Sequence, residues 1–498
     1  MISPVRIETE VDRHLFVIFG GTGDLAESKL IPSLYRLMAG RGEAGRSVVL
    51  GLSRHEVGDG PFREWTLEAL TASGLSGEEV AQWCGSNVYH QAISDRAEDY
   101  ATLRNRIEAI ELERGLTGNR VFYLATPPRA FSSTIEGLGS AGLNQSEGWV
   151  RVVVEKPFGT DLGTARDLNE LLLSWFDESQ IFRIDHYLGK ATVQNLLAFR
   201  FTNPMFERLW NRDRVAHIEI TVAEDGGIGD RAAYYDHAGV VRDMVQNHLT
   251  QLLALVAMEP PNVFDADRIR DEKVKVIKSI APINSGDVVY GQYASGGAKG
   301  SASGYLEENG VPADSKTPTF VGIRVYVDSW RWQGVPFLLR TGKRLPERLT
   351  QIAITFREPA LCVLHGLRDD CANPDVLLII LEPDEGFSLR FNVRSPADES
   401  RVDSQALHFR YSDVYDELPP AYLTLILDIL EGDQTLFVRA DEVEASWRVY
   451  DPVLAQPLQP IKYAAGTWGP AAMDQGEPIG GEEWRHRRGQ NAQGRARA

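Results

Sequence analysis

The pattern of apolar and polar positions divides this chain into two regimes. Up to about residue 190, short unbroken apolar runs alternate with stretches of helical spacing. His14-Leu-Phe-Val-Ile-Phe19, Ser47-Val-Val-Leu-Gly-Leu52, Arg120-Val-Phe-Tyr-Leu-Ala125, Trp149-Val-Arg-Val-Val-Val154 and the run at Ile181 read as strands buried on both faces. Glu27–Met38, Phe62–Cys84, Tyr100–Arg114 and Asp161–Phe176 read as helices. Strands alternating with helices predict a doubly wound, Rossmann-type α/β domain over residues 1–190. The second regime is different. Arg214–Glu224 alternates as a strand with one buried face, and a long helix covers Val240–Met258 before Pro260-Pro261. From Thr319 the chain is strand-rich, with runs at Thr319–Val327, Thr350–Arg357, Val376–Leu381 and Gly386–Val393. Short connections predict a meander, hence a big, mainly antiparallel sheet in a larger α+β domain over residues 191–474. The tail, residues 475–498, is rich in Gly, Glu and Arg and is expected to be disordered.

Composition narrows the partners. A net charge of −18 argues against nucleic acid, which needs clustered Lys and Arg. No apolar run reaches membrane-spanning length, and Met1–Glu10 lacks an apolar signal core, so no membrane association is expected. The three cysteines fit neither a zinc site nor a disulfide framework, and a cytoplasmic location is expected. No metal is expected. A big sheet with helices on one face leaves the other for a subunit partner, which predicts a homodimer or homotetramer.

The chemistry starts directly after the first strand. Gly20-Gly-Thr-Gly-Asp-Leu-Ala26 holds G-x-G-x-x-A spacing from Gly21, in a strand–turn–helix setting. Such a turn lets a pyrophosphate approach the backbone beside a helix N-terminus. Gly20, Gly21, Thr22, Gly23, Asp24 and Leu25 are therefore candidate nucleotide-binding residues. The second strand ends not on an acidic residue but on Ser53-Arg54, which suits a 2′-phosphate and favours NADP. Lys156 stands in Glu155-Lys-Pro-Phe-Gly159, just past a strand end, placed for both cofactor and substrate; Pro157 is expected to be cis.

The densest stretch is Arg183-Ile-Asp-His-Tyr-Leu-Gly-Lys190. Lys190 and His186 suit an anionic ligand such as a phosphate. Asp185 would repel that phosphate and is better suited to orient a base. On the long helix lies Arg242-Asp-Met-Val-Gln-Asn-His248. A histidine there reads equally well as a core residue with satisfied hydrogen bonds; its polar neighbours Asp243, Gln246, Asn247 and Gln251 tilt the reading toward a site. Asp243 and His248 are five apart and do not share an α-helical face, so Asp243 is assigned to substrate hydroxyls and Asp185 to His248. Lys343 and Arg348, flanking a turn at Pro346, are candidate substrate ligands.

Together with Trp330-Arg-Trp-Gln-Gly-Val-Pro-Phe337 and Arg340-Thr-Gly-Lys343, these motifs resemble the glucose-6-phosphate dehydrogenase family from about His14 to Leu454. The resemblance implies oxidation of glucose 6-phosphate at C1 to the 6-phosphogluconolactone with NADP, in the pentose phosphate pathway. It implies His248 as general base with Asp185 orienting it, and His186, Tyr187 and Lys190 on the sugar phosphate. It also implies Lys156 bridging substrate and nicotinamide, Lys343 binding substrate, Glu224 and Asp243 on sugar hydroxyls, and Arg54 on the 2′-phosphate. Ala191 and Phe131 depart from the family's usual residues. The alternatives are a paralogue for another aldose 6-phosphate and a non-catalytic regulatory subunit.

Overall fold

The computed structural model describes residues 11–473 apart from 41, 43, 298–301, 361–372, 397–401, 416–417 and 457–458. The expected tail, 475–498, lies outside the described residues. The chain forms two compact units.

Unit 1 holds residues 1–191, with Asn262–Arg270 and Pro419–Glu444 returning to it. Its strands are β1 (His14–Phe19), β2 (Ser47–Ser53), β3 (Val88–Ala92), β4 (Arg120–Leu124), β5 (Val150–Glu155) and β6 (Ile181–Ile184). They lie in the order β6-β5-β4-β1-β2-β3, all parallel. Every residue of β1 and β4 is buried, which is why these strands read as continuous apolar runs. The order reverses between β1 and β4, so their carboxyl ends form the crevice where such sheets bind ligands. A seventh strand, Phe437–Val438, pairs antiparallel with β6 and closes that edge. The first domain is thus not a single stretch of chain. The helix read over Phe62–Cys84 is two, Asp59–Ala72 and Glu78–Asn87. Gly74 and Gly77 between them take φ of +79° and +117°, which ends one helix and admits the next.

Unit 2 holds residues 192–261, 271–418 and 445–498. Its strands are β7 (Val215–Ala223), β8 (Val288–Ala294), β9 (Phe320–Tyr326), β10 (Pro336–Gly342), β11 (Leu349–Phe356), β12 (Val376–Glu382), β13 (Gly386–Arg394) and β14 (Val402–Arg410). With Ile461–Ala464 they form nine strands in the order β14-β13-β12-β11-β7-β10-β9-β8 and then 461–464. The sheet is mainly antiparallel, but it is not a simple meander. β7 inserts between β11 and β10 and runs parallel to β10. Its chain leaves through helices before returning as β8, so a tight hairpin is not required.

The helix read over Val240–Met258 is not uniform. Val241–Leu249 is π-helical and Thr250–Ala257 is α-helical. Gly239, at φ +65°, breaks it from the preceding helix. Its last carbonyls have no successors to bond, and side chains take their place. Arg200 donates to the Leu255 and Met258 carbonyls, both at 2.9 Å. Trp210 Nε1 donates to Val256 O and Trp332 Nε1 to Ala257 O, both at 2.8 Å. All three side chains are fully buried. The end of the helix that carries His248 is therefore tied down at four successive carbonyls.

Candidate active site

In unit 1 the glycine turn sits against the sheet with no room for side chains. Gly20 and Gly21 both donate to the Leu52 carbonyl, at 3.0 and 2.8 Å. A Cβ on Gly21 would stand 2.6 Å from Gly51 Cα, and one on Gly20, at φ +83°, 2.6 Å from Ala125 O. Gly23 N–H donates to Gly20 O at 3.0 Å and closes the turn. A cradle of bare backbone at the carboxyl end of β1 fits a nucleotide pyrophosphate. Thr22 and Asp24 are exposed, and Leu25 is half-buried. Ser53 closes β2 and is half-buried, while Arg54 beside it is exposed.

Lys156 follows β5, and its bond to Pro157 is cis, as the sequence predicts. The preceding Glu155 accepts from Tyr123 at 2.6 Å and Tyr422 at 3.1 Å. Burial raises the Glu155 pKa against those two hydrogen bonds and the charge of Lys156. Sequence reasoning missed this trio, because Tyr422 returns to unit 1 from far along the chain.

The turn after β6 is held by its own aspartate. Tyr187 N–H donates to Asp185 Oδ1 at 3.0 Å, and Leu188 N–H to the Asp185 carbonyl at 3.0 Å. The Lys190 ammonium lies 4.6 Å from the Tyr187 ring centre, and the His186 ring 4.9 Å from it. One cation, one imidazole and one phenol therefore share a single turn, with His186 and Lys190 half-exposed and Asp185 buried. A Cβ on Gly189 would meet Ala421 O at 2.7 Å, which explains the glycine before Lys190.

Unit 2 builds a second cluster from parallel strands. Ala223 of β7 pairs with Gly342 of β10, so the next residues, Glu224 and Lys343, emerge side by side. Lys343 Nζ donates to Glu224 Oε2 at 2.6 Å and stands 3.9 Å from Asp243 Oδ2. Arg231 approaches the other oxygen of Asp243 at 3.9 Å, and the Tyr235 ring lies 5.1 Å from Lys343. Burial pushes the Tyr235 phenol well up, so it stays protonated. Arg231 and Tyr235 were not singled out from the sequence, since neither stands in a periodic pattern. Arg348 does not join this cluster; it pairs with Glu382 at 2.7 Å and is largely exposed.

His248 is fully buried. Its backbone N–H donates to Asn247 Oδ1 at 2.6 Å, and Asn247 Nδ2 reaches back to the Arg242 carbonyl at 3.0 Å. The π-helix corrects the expectation about Asp243. In an α-helix residues five apart diverge, but in a π-helix each turn closes on the fifth residue. Asp243 and His248 therefore share one face.

A doubly wound unit with a bare-backbone nucleotide cradle, and a second unit with a lysine–dicarboxylate cluster and a helical histidine, define a nicotinamide-dependent dehydrogenase. Residues 17–195 match the family model "Glucose-6-phosphate dehydrogenase, NAD binding domain", and residues 197–485 match "Glucose-6-phosphate dehydrogenase, C-terminal domain". The chain belongs to the glucose-6-phosphate dehydrogenase family. It is 44% identical to glucose-6-phosphate 1-dehydrogenase of Aggregatibacter actinomycetemcomitans, over 94% of this chain and 96% of the relative. A solved glucose-6-phosphate dehydrogenase in complex with its substrate glucose-6-phosphate is 35% identical, with a TM-score of 0.88 over 96% of this chain and 100% of that one. Glucose-6-phosphate 1-dehydrogenase from Mycobacterium avium is 34% identical, with a TM-score of 0.83 over 96% and 99%.

Proposed function

We propose that the protein oxidises D-glucose 6-phosphate at C1 to 6-phospho-D-glucono-1,5-lactone with NADP, the first step of the oxidative pentose phosphate pathway. The observation that carries this reading is the pair of clusters, a cationic turn at His186–Lys190 and an ion cluster at Lys343, within a chain of this family. NADP, when bound, supplies the hydride acceptor. His248 takes the proton from the C1 hydroxyl, because hydride departure leaves a carbonyl only as that proton is drawn off. Asp185 orients the imidazole. His186, Tyr187 and Lys190 hold the phosphate. Glu224 and Asp243 accept from sugar hydroxyls, and Lys343 donates to them. Lys156 spans substrate and nicotinamide, and Arg348, paired with Glu382, is a further candidate ligand for the substrate. Gly20 to Leu25 cradle the pyrophosphate, and Ser53 with Arg54 takes the 2′-phosphate.

The same reading places the enzyme in the cytoplasm as a homodimer or homotetramer. Exposed Leu407 and Phe409 on the edge strand β14 support self-association. A monomeric mass in solution would contradict it.

The test is reduced-nicotinamide absorbance with a panel of aldose 6-phosphates and both cofactors. Turnover greatest with glucose 6-phosphate and NADP is expected. Greater turnover with another aldose 6-phosphate would make the chain a paralogue, and none with any would leave the regulatory-subunit alternative.

A further inference from the structure

The end of β2 leans on a buried imidazole from the neighbouring strand. The Ser53 hydroxyl donates to the His55 carbonyl at 2.8 Å. The same Oγ lies 3.0 Å from Nε2 of His90, on β3. A serine hydroxyl has one hydrogen to give. With that hydrogen on the His55 carbonyl, Nε2 of His90 is the donor and Ser53 Oγ the acceptor. His90 is 4% exposed and packs against the Phe62 ring at 5.2 Å. Its backbone N–H donates to Asp59 at 2.7 Å, which fixes its place on the strand. Its Nδ1 has no hydrogen-bond partner among the described residues and faces the Glu56 carboxylate at 3.8 Å. Burial lowers the pKa of the ring, so at neutral pH it carries a single N–H.

We propose that His90 is a positioning residue for cofactor selectivity, holding Ser53 as a hydrogen-bond donor for the 2′-phosphate beside Arg54. This rests on the reading of Ser53 and Arg54 as the 2′-phosphate subsite. A hydroxyl whose lone pair already receives a buried N–H has chiefly its own hydrogen left to offer. That hydrogen turns from the His55 carbonyl to a phosphate oxygen, and the two bonds in series polarise one another. NAD has no phosphate there and gains nothing from the arrangement.

The experiment compares kcat and KM for NADP and for NAD in the full-length enzyme and its variants. His90→Phe keeps the ring packing and removes the donor. It is expected to raise KM for NADP about five- to ten-fold, the effect of one lost hydrogen bond, with NAD kinetics and both kcat values unchanged. His90→Gln restores a side-chain N–H and is expected to stay within about two-fold of wild type. Ser53→Ala is expected to raise KM for NADP at least as much as His90→Phe, and the double variant to lose no more than Ser53→Ala alone. An unchanged KM for NADP in His90→Phe, or an equal rise for NADP and NAD, overturns the proposal while leaving the subsite. A wild type that prefers NAD overturns the subsite reading and the proposal with it. If His90→Phe does not fold, Ser53→Ala and His90→Gln decide by the same NADP-to-NAD ratio.

Discussion

Lys343 and Glu224 are 119 positions apart, yet their side chains meet at 2.6 Å because each follows the last paired residue of two parallel strands. The register Ala223 to Gly342 determines the contact. Among the described residues of this sheet the pairing of β7 with β10 is one of two parallel joins, the other being β8 with residues 461–464. The parallel join of β7 and β10 delivers a cation and a carboxylate to one end, as parallel α/β sheets do.

That contact predicts the behaviour of Lys343→Gln. Its removal leaves Glu224 and Asp243 without their shared ammonium and, on the proposed reading, takes a charge-assisted donor from the substrate. KM for glucose 6-phosphate is expected to rise about 10- to 100-fold, with a smaller fall in kcat. Steady-state kinetics check it; an unchanged KM would remove Lys343 from substrate binding.

Gly21→Ala tests the nucleotide cradle. The new methyl would sit 2.6 Å from Gly51 Cα, and backbone cannot yield as a side-chain tip does. Cofactor affinity is expected to fall at least about ten-fold, read by fluorescence titration with NADPH, since the backbone must approach the pyrophosphate closely. Retained affinity would place the nucleotide elsewhere.

Trp332→Phe keeps the apolar bulk but leaves the Ala257 carbonyl without its 2.8 Å donor. A buried carbonyl so exposed to loss costs about 1–3 kcal/mol. Denaturant unfolding is expected to show that loss, and a variant as stable as wild type would mean that water replaces the indole.

His14 makes stability depend on pH. It is fully buried at the start of β1, and burial pushes its pKa down to about 4 despite a hydrogen bond to the Asp12 carbonyl. The unfolded chain takes up a proton below about 6.5, which the folded one refuses until about 4. Stability is therefore undiminished above pH 6.5 and falls as pH drops toward 4, by about 3 kcal/mol in total. His14→Gln is expected to flatten that part of the curve in unfolding measured from pH 7 to 4. An equal slope in the variant would assign the acid sensitivity to other groups.

How much of this was legible in the sequence depends on range. The strands β1, β2, β4, β5 and β6 were, because a strand buried on both faces reads as a nearly continuous apolar run. So was the glycine turn, whose spacing reflects steric need at Gly20 and Gly21. The π-helical run was not. An apolar pattern read at 3.6 residues per turn cannot register one with a wider turn, and so sets Asp243 and His248 on different faces where the π-helix puts them on one. The seventh strand, Phe437–Val438, was also missed, being two residues long and paired with a strand some 250 positions earlier. His90 gave no signal, since its value lies in a bond to Ser53 that only the register of β2 and β3 brings about.

The central claim is that His248 takes the proton from C1. The direct measurement is kcat with glucose 6-phosphate and NADP in His248→Asn, alongside the substrate dissociation constant. The account predicts a fall in kcat of about a hundred- to ten-thousand-fold, the usual worth of a general base, with substrate affinity within about three-fold of wild type. A kcat within ten-fold of wild type would contradict it and return His248 to the helix core.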